Sequence, residues 1–358
     1  MKILSIIPSV EFGGAEKVLS TLIKEWSINN SVKLITFHNN TIAYKINCDI
    51  ENINCPPLEG AIGKIRNIIK RTRLVCKIIY IYKPDIIISF LEPANIVSIL
   101  SVFITKKMDL LTISIRNNPD YYSKINKLLI KCYYPRINRI VAVSNGIKNK
   151  LIQSYNIKPE SIEVIYNPID INTVSKKRLL KPLDTNLNNP YILGIGRLVE
   201  QKQFEKLIIA FSMIKKDNID LIIIGEGPLR ASLYKLIESL NLQNSVKLIG
   251  NVANPYYYLS NAELFVLSSK FEGWPNVIME AFACDCPVVS FDCPYGPDEI
   301  IENGKNGILV PTGDINKLSN TIYSVINNNN LRKTIKTEGK KSIKRFGIKS
   351  TANKWLYN

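Results

Sequence analysis

Residues 264–281 read Leu264-Phe265-Val266-Leu267-Ser268-Ser269-Lys270-Phe271-Glu272-Gly273-Trp274-Pro275-Asn276-Val277-Ile278-Met279-Glu280-Ala281. The first four are apolar without alternation, as a strand covered on both faces of a parallel sheet requires. Gly273 permits a turn and Pro275 suits a first helical position, so a helix is predicted to begin there. A strand that runs through a loop into a helix N-terminus is the unit of a Rossmann-like sheet. The unbonded N–H groups of that helix face the space above the strand, where an anion fits. Glu272 lies in the loop, and Glu280 lies more than one turn inside the helix, where a carboxylate can accept both hydroxyls of a ribose. Acids so placed are commonly surface residues, but here an apolar, Cys-containing stretch surrounds them.

Outward from this stretch the same rhythm recurs. Further strands are predicted at 191–195, 221–224, 247–249, 288–291 and 308–310, and in the first half at 3–7, 33–37, 86–90, 110–115 and 140–143, with helices such as 16–26 and 62–82 between them. The apolar run at 3–8 is too short for a signal segment and reads as a buried first strand. Residues 172–190 are polar and basic, carry two prolines and hold no sustained apolar period, so they read as a linker. The expectation is an α/β chain of two Rossmann-like domains, 1–172 and 173–358, facing each other across a cleft. The last helix, about 341–358, is a candidate to cross back. Ligands of such sheets bind outside the carboxyl ends of the strands.

The chain has 358 residues, 46% of them hydrophobic, and 47 Lys+Arg against 30 Asp+Glu give a net charge of +17. That excess calls for a polyanionic partner without choosing one. Seven Cys lack framework spacing, so a reduced, cytoplasmic protein is expected. Cys284, Cys286 and Cys293 read as buried thiols better than as metal ligands, because no further Cys pair or nearby His completes a site. Glycine turns follow strands at Gly13-Gly14-Ala15-Glu16, Gly196-Arg197-Leu198-Val199-Glu200-Gln201-Lys202 and Gly225-Glu226-Gly227-Pro228. Arg197 and Lys202 together make a diphosphate clamp, a planar fork beside a point charge; each pattern alone is also met in plain turns or solvated loops.

Taken in order, Gly-Gly-Ala-Glu, Gly-Arg-Leu-x3-Lys, Gly-Glu-Gly-Pro and Glu-x7-Glu make the chain resemble the retaining glycosyltransferases of family 4, which have the GT-B fold. Ser89-Phe90-Leu91 with Asn95, Tyr166-Asn167-Pro168-Ile169-Asp170 and Gly296-Pro297-x-Glu299-Ile300 fit as well. The resemblance covers nearly the whole chain and is nearest to bacterial enzymes that extend lipid-linked sugars, such as N-acetylgalactosaminyltransferases. It implies a retaining, metal-independent hexosyltransferase without cofactor. The donor would be a nucleotide sugar, UDP-linked by preference, carrying GalNAc, GlcNAc or another hexose. The acceptor would be a polyprenyl-diphosphate-linked glycan of O-antigen, capsule or protein-glycan assembly.

Residue by residue, the resemblance makes Arg197, Lys202 and Glu272 catalytic. The backbone of Gly273, Trp274, Asn276 and Val277 would bind donor hydroxyls and phosphate, Glu280 the ribose, Gly250 and Asn251 the nucleobase, and Gly14 the diphosphate. Gly13 and Arg116 are candidate acceptor contacts. Many members carry a His after the fourth amino-terminal strand. This chain instead has Arg116-Asn117-Asn118-Pro119 there, and its one His, His38, reads as structural, so no general base is assigned.

The alternatives are a GDP-mannose-type transferase and a non-catalytic nucleotide-sugar binder. Nucleic-acid binding rests on charge alone and has no supporting motif. Residues 60–83 hold seven Lys+Arg and no acid, among Ile62, Ile65 and Ile69, and residues 123–140 add further basic and apolar positions. Such helices suit an anionic membrane surface, so Lys70, Arg71 and Arg73 are expected to touch lipid at the inner face of the plasma membrane.

Overall fold

The structure, a computed structural model, describes residues 1–11, 13–38, 42–182, 187, 189–214 and 218–356. The chain divides into two compact units, Met1–Pro168 with Ile348–Asn358, and Ile169–Gly347.

The first unit runs β1 (Lys2–Ile7), α1 (Gly14–Trp26), β2 (Ser31–Thr36), β3 (Asp49–Asn52), α2 (Gly60–Tyr82), β4 (Ile86–Phe90), α3 (Glu92–Ile104), β5 (Leu111–Ile115), α4 (Lys124–Tyr133), β6 (Arg139–Ala142), α5 (Asn145–Tyr155) and β7 (Ile162–Val164). Its seven strands lie in the order β3-β2-β1-β4-β5-β6-β7, and the paired strands are parallel.

The second unit runs α6 (Ile171–Lys177), β8 (Tyr191–Ile195), α7 (Phe204–Ser212), β9 (Asp220–Ile224), α8 (Arg230–Ser239), β10 (Val246–Gly250), α9 (Pro255–Asn261), β11 (Leu264–Leu267), α10 (Asn276–Ala283), β12 (Val288–Asp292), α11 (Pro297–Ile300), β13 (Ile308–Pro311), α12 (Ile315–Asn327) and α13 (Asn329–Ser342). Its sheet order is β10-β9-β8-β11-β12-β13. The last helix, α14 (Ile348–Leu356), packs in the first unit against α1.

Both sheets are Rossmann-like. Strand order runs outward from the first strand of the sheet, then reverses, at β1/β4 in one unit and at β8/β11 in the other. Right-handed crossovers then place helices on opposite faces for the two directions of travel, and the reversal opens a crevice at the carboxyl ends of the two central strands. Burial explains the composition: β5, β9 and β11 are buried at every position.

The first core lies between the sheet and the α1/α14 layer. There Trp355 stacks on Phe90 with ring centroids 5.2 Å apart and meets Trp26 edge-on, and the Trp26 indole N–H donates to Ala352 O at 3.0 Å. Burying the apolar area of Trp26, Phe90 and Trp355 contributes several kcal/mol to the stability of this unit.

Three expectations need correction. The stretch read as a linker from residue 172 starts inside α6, which Asp170 caps by accepting the Thr173 N–H at 2.9 Å, and the unit boundary falls between Pro168 and Ile169. Residues 183–186 and 188 of that stretch lie outside the described residues. The returning segment starts at Ile348, because residues 341–347 finish the second unit. Helix α10 begins at Asn276, with Pro275 at the N-cap and not in the first helical position.

Candidate functional site

At the β8/β11 reversal, the loops that leave the two strands are stitched together. The Lys270 N–H donates to Gln201 O at 2.8 Å, the Gln201 side-chain amide to Phe271 O at 2.8 Å, and the Ser268 hydroxyl to Lys202 O at 2.7 Å. These bonds bring Lys202 Nζ to 2.5 Å from Glu272 Oε1, which also accepts from the Ser269 hydroxyl at 2.6 Å. Glu272 is only 8% exposed. A buried carboxylate thus meets a partly exposed ammonium at the end of the central strands, ahead of the N-terminus of α10. There the backbone amides of Asn276 and Val277 add partial positive charge.

The Trp274 side chain is committed elsewhere, its indole N–H donating to Met279 Sδ and its ring set edge-on to Phe346 at 5.5 Å. The loop is backed from β12 by bonds from the Glu272 N–H to Pro294 O, 2.7 Å, and from the Tyr295 N–H to Glu272 O, 3.1 Å.

The second glycine cluster has a different physical cause. Gly225 has φ +138°, and a Cβ there would lie 1.9 Å from Gly196 O; one on Gly227 would lie 2.5 Å from Leu198 O. These glycines let the β8 and β9 loops run in contact, joined by Leu198 N–H to Glu226 O at 2.9 Å and Leu229 N–H to Leu198 O at 3.0 Å. Gly250, at φ +77°, accepts the Gly225 N–H at 2.9 Å. The predicted residues therefore fall into two groups in this unit: Lys202, Glu272, Gly273, Asn276 and Val277 around the reversal, and Gly196, Gly225, Gly227 and Gly250 beside it. Arg197 and Asn251 are exposed, at the ends of β8 and β10, and Glu280 lies one turn into α10.

In the first unit, the turn after β1 holds Gly13. A Cβ there would meet Glu16 Oε2 at 2.1 Å, so the missing side chain makes room for the glutamate, while Gly14 is exposed as the first residue of α1. Burial raises the Glu16 carboxyl above its ordinary value, and the charge of Arg116 opposes that. Arg116 is buried at the end of β5; its Nη2 donates to Asn167 Oδ1, its Nη1 to Ser114 Oγ at 3.4 Å, and its guanidinium lies 5.0 Å from the Phe90 ring centre. Burial lowers its pKa to about 9, with Glu16 holding it up.

Arg71, expected to touch lipid, is 8% exposed. Its Nε and Nη2 donate to Cys55 O at 3.1 and 2.6 Å, and its guanidinium sits 4.5 Å from the Phe37 ring centre. It tethers α2 to the segment after β3 and does not reach a membrane. Lys70 and Arg73 are exposed. Cys284, Cys286 and Cys293 are buried free thiols, and burial drives the Cys286 and Cys293 thiols far up.

The residue missed in the sequence is Glu92, in the first turn of α3 at the β1/β4 reversal. It is 6% exposed, and the Tyr122 hydroxyl donates to its Oε1. Burial lifts its carboxyl to about 7, against the pull of that hydrogen bond. Its place directly after an apolar strand and before Pro93 marks a helix start but gives no sign of its burial.

Two family models match the chain, "Glycosyltransferase Family 4" over residues 12–173 and "Glycosyl transferases group 1" over residues 175–342. Among curated proteins, the N-acetylgalactosamine-N,N'-diacetylbacillosaminyl-diphospho-undecaprenol 4-alpha-N-acetylgalactosaminyltransferase of Campylobacter jejuni is 33% identical, over 95% of this chain and 94% of its own length. A second C. jejuni protein, the GalNAc-alpha-(1->4)-GalNAc-alpha-(1->3)-diNAcBac-PP-undecaprenol alpha-1,4-N-acetyl-D-galactosaminyltransferase, is 27% identical over 99% of this chain and 97% of its own. Among solved structures, Anabaena HepE in complex with UDP and glucose superimposes with TM-score 0.83 at 24% identity, covering 99% of this chain and 98% of that one, a likeness of fold.

Proposed function

The chain belongs to the family 4 glycosyltransferases, and from that premise we propose that it moves a hexose, GalNAc or GlcNAc by preference, from a UDP-sugar to a polyprenyl-diphosphate-linked glycan with retention at the anomeric carbon. The observation that carries the reading is the Lys202–Glu272 contact at the β8/β11 reversal, 2.5 Å long, with its carboxylate buried. In this reading Lys202, Arg197 and the first amides of α10 hold the donor diphosphate and take up the negative charge that grows as the glycosidic bond breaks. Glu272 accepts a sugar hydroxyl and Glu280 the ribose hydroxyls. The acceptor hydroxyl bonds to the anomeric carbon on the face the diphosphate leaves, and its proton passes to the departing phosphate oxygen, so no protein base is required. The names of the two C. jejuni relatives support the lipid-linked acceptor and the GalNAc donor, and the UDP held by HepE supports the nucleotide.

The acceptor reading falls to the first unit, where Arg116, Gly13 and Glu16 stand at the ends of β5 and β1. Exposed Lys70 and Arg73 among exposed Ile62, Ile65 and Ile69 support attachment to an anionic membrane surface. Screening UDP- and GDP-sugars for transfer onto a short polyprenyl-diphosphate glycan tests the reading. Glu272→Gln and Lys202→Ala are each expected to lower turnover about 100-fold or more. Full turnover in Lys202→Ala would sink the donor-site assignment. Nucleotide binding without turnover under any donor would leave the non-catalytic reading in its place.

A further inference from the structure

We propose that Glu92 is a positioning residue of the transfer, its carboxyl and the Tyr122 hydroxyl forming a proton-operated latch on the loop after β5, residues 116–122. The proposal rests on the reading that the first unit takes the acceptor.

The latch follows from a proton count. The Tyr122 hydroxyl donates to Glu92 Oε1 and also lies 3.2 Å from Asn117 O, a second acceptor. A phenol has one proton and can serve one acceptor at a time. With Glu92 ionised, that proton belongs to the carboxylate, the stronger acceptor, and the Asn117 carbonyl is released. With Glu92 protonated, the carboxyl O–H donates to the phenol oxygen, and the phenol proton turns to Asn117 O. The relay from Glu92 through Tyr122 to Asn117 is complete only when one proton has been added from solvent; a hydroxyl rotates and no other bond changes.

Asn117 adjoins Arg116, fixed by Asn167 and Ser114, and Asn118, whose Oδ1 accepts the Asp120 N–H at 3.0 Å. Holding its carbonyl therefore fixes the backbone between the buried guanidinium and Pro119. Among the described residues, the groups that face Glu92 carry no cation. Tyr122 comes from the segment before α4, and buried Tyr134 from the end of α4; Asn95, on α3 itself, donates to Ser114 O at 3.0 Å and to the Tyr134 hydroxyl at 3.3 Å. Both phenols are held well above their ordinary value by burial, with the Glu92 charge adding to it, so neither ionises near neutrality. Only Glu92, lifted by burial to about 7, changes charge there.

Two measurements on the full chain test the latch. The first is acceptor and donor KM from about pH 6 to about pH 8. If only the protonated form is competent, acceptor KM rises about tenfold over that interval while donor KM does not follow it. Glu92→Gln, whose amide N–H donates to the phenol without titrating, is expected to hold the low-pH acceptor KM throughout, and Tyr122→Phe the high-pH value. The second is hydrogen exchange of residues 116–122 without substrate, corrected for the chemical rate. Protection should fall with pH in the wild type and stay level in Glu92→Gln. The same pH dependence of exchange in wild type and Glu92→Gln overturns the latch. A pH-dependent exchange that Glu92→Gln abolishes, with no transfer from any donor, overturns the transferase reading and leaves the latch standing.

Discussion

At the scale of single residues, the informative groups are charged side chains taken out of water. Lys202 and Glu272 are legible in the sequence because each belongs to a spaced pattern, Lys202 to Gly-Arg-Leu-x3-Lys and Glu272 to Glu-x7-Glu. Glu92 is not, since a lone acid after a strand gives no sign of whether it will be buried. Arg71 escapes for the same reason: a basic run in a helix does not say which of its members faces inward. Burial of Glu92 has a thermodynamic consequence of its own. Its folded-state pKa of about 7 lies above the ordinary value of 4.5, so the native state binds the extra proton between those values. Stability is therefore full below the unfolded value and declines as pH rises through the folded one, by up to ~3 kcal/mol. Glu92→Gln removes the titration. In urea unfolding it should match the wild type near pH 4.5, exceed it increasingly up to about pH 7, and keep a constant margin above that. A stability difference that does not grow with pH would show that the carboxyl titrates normally.

At the scale of elements, apolar runs locate the central strands well: 86–90, 191–195 and 264–267 coincide with β4, β8 and β11. The two strands overlooked, β3 (Asp49–Asn52) and β7 (Ile162–Val164), are the edges of the first sheet. There one flank lacks a neighbour and no continuous apolar run is demanded. The glycine turns are legible too, but the sequence does not say whether a ligand or a neighbouring loop approaches them. Gly225 and Gly227 are required by loop-on-loop packing, and substitution separates that cause from backbone conformation. Gly225 combines φ +138° with a carbonyl oxygen 1.9 Å from where a Cβ would stand. Gly225→Ala should therefore cost about 3 kcal/mol or more, or prevent folding. Gly304 has φ +80° and nothing within 4 Å of an added Cβ. Gly304→Ala should cost only about 1 kcal/mol, the left-handed backbone penalty. Equal thermal shifts in the two variants would remove packing as the reason for the first glycine.

At the scale of the whole molecule, the net charge of +17 is divided by burial as much as by sequence. Within α2, Arg71 is bonded to the Cys55 carbonyl, whereas Lys64, Arg66, Lys70, Arg73 and Lys77 are exposed. Around them Ile62, Ile65 and Ile69 are 76%, 58% and 48% exposed; in α4, Ile125 and Leu128 are 60% and 61% exposed beside exposed Lys124 and Lys131. Apolar side chains left in water next to cations suit the boundary of a lipid bilayer, where both are satisfied. No helix among the described residues is long and apolar enough to cross a membrane, so this contact would be made at the surface. Each Lys or Arg near an anionic leaflet is worth about 1 kcal/mol. Replacing Lys64, Lys70 and Arg73 by Glu should then weaken binding to anionic liposomes about 100-fold or more, without altering the melting temperature. Arg71→Glu should instead lower the melting temperature, because it breaks the tether to Cys55 and buries an unpaired charge. Flotation of the triple variant equal to that of the wild type, on vesicles rich in phosphatidylglycerol, would mean that this face of α2 meets something other than lipid.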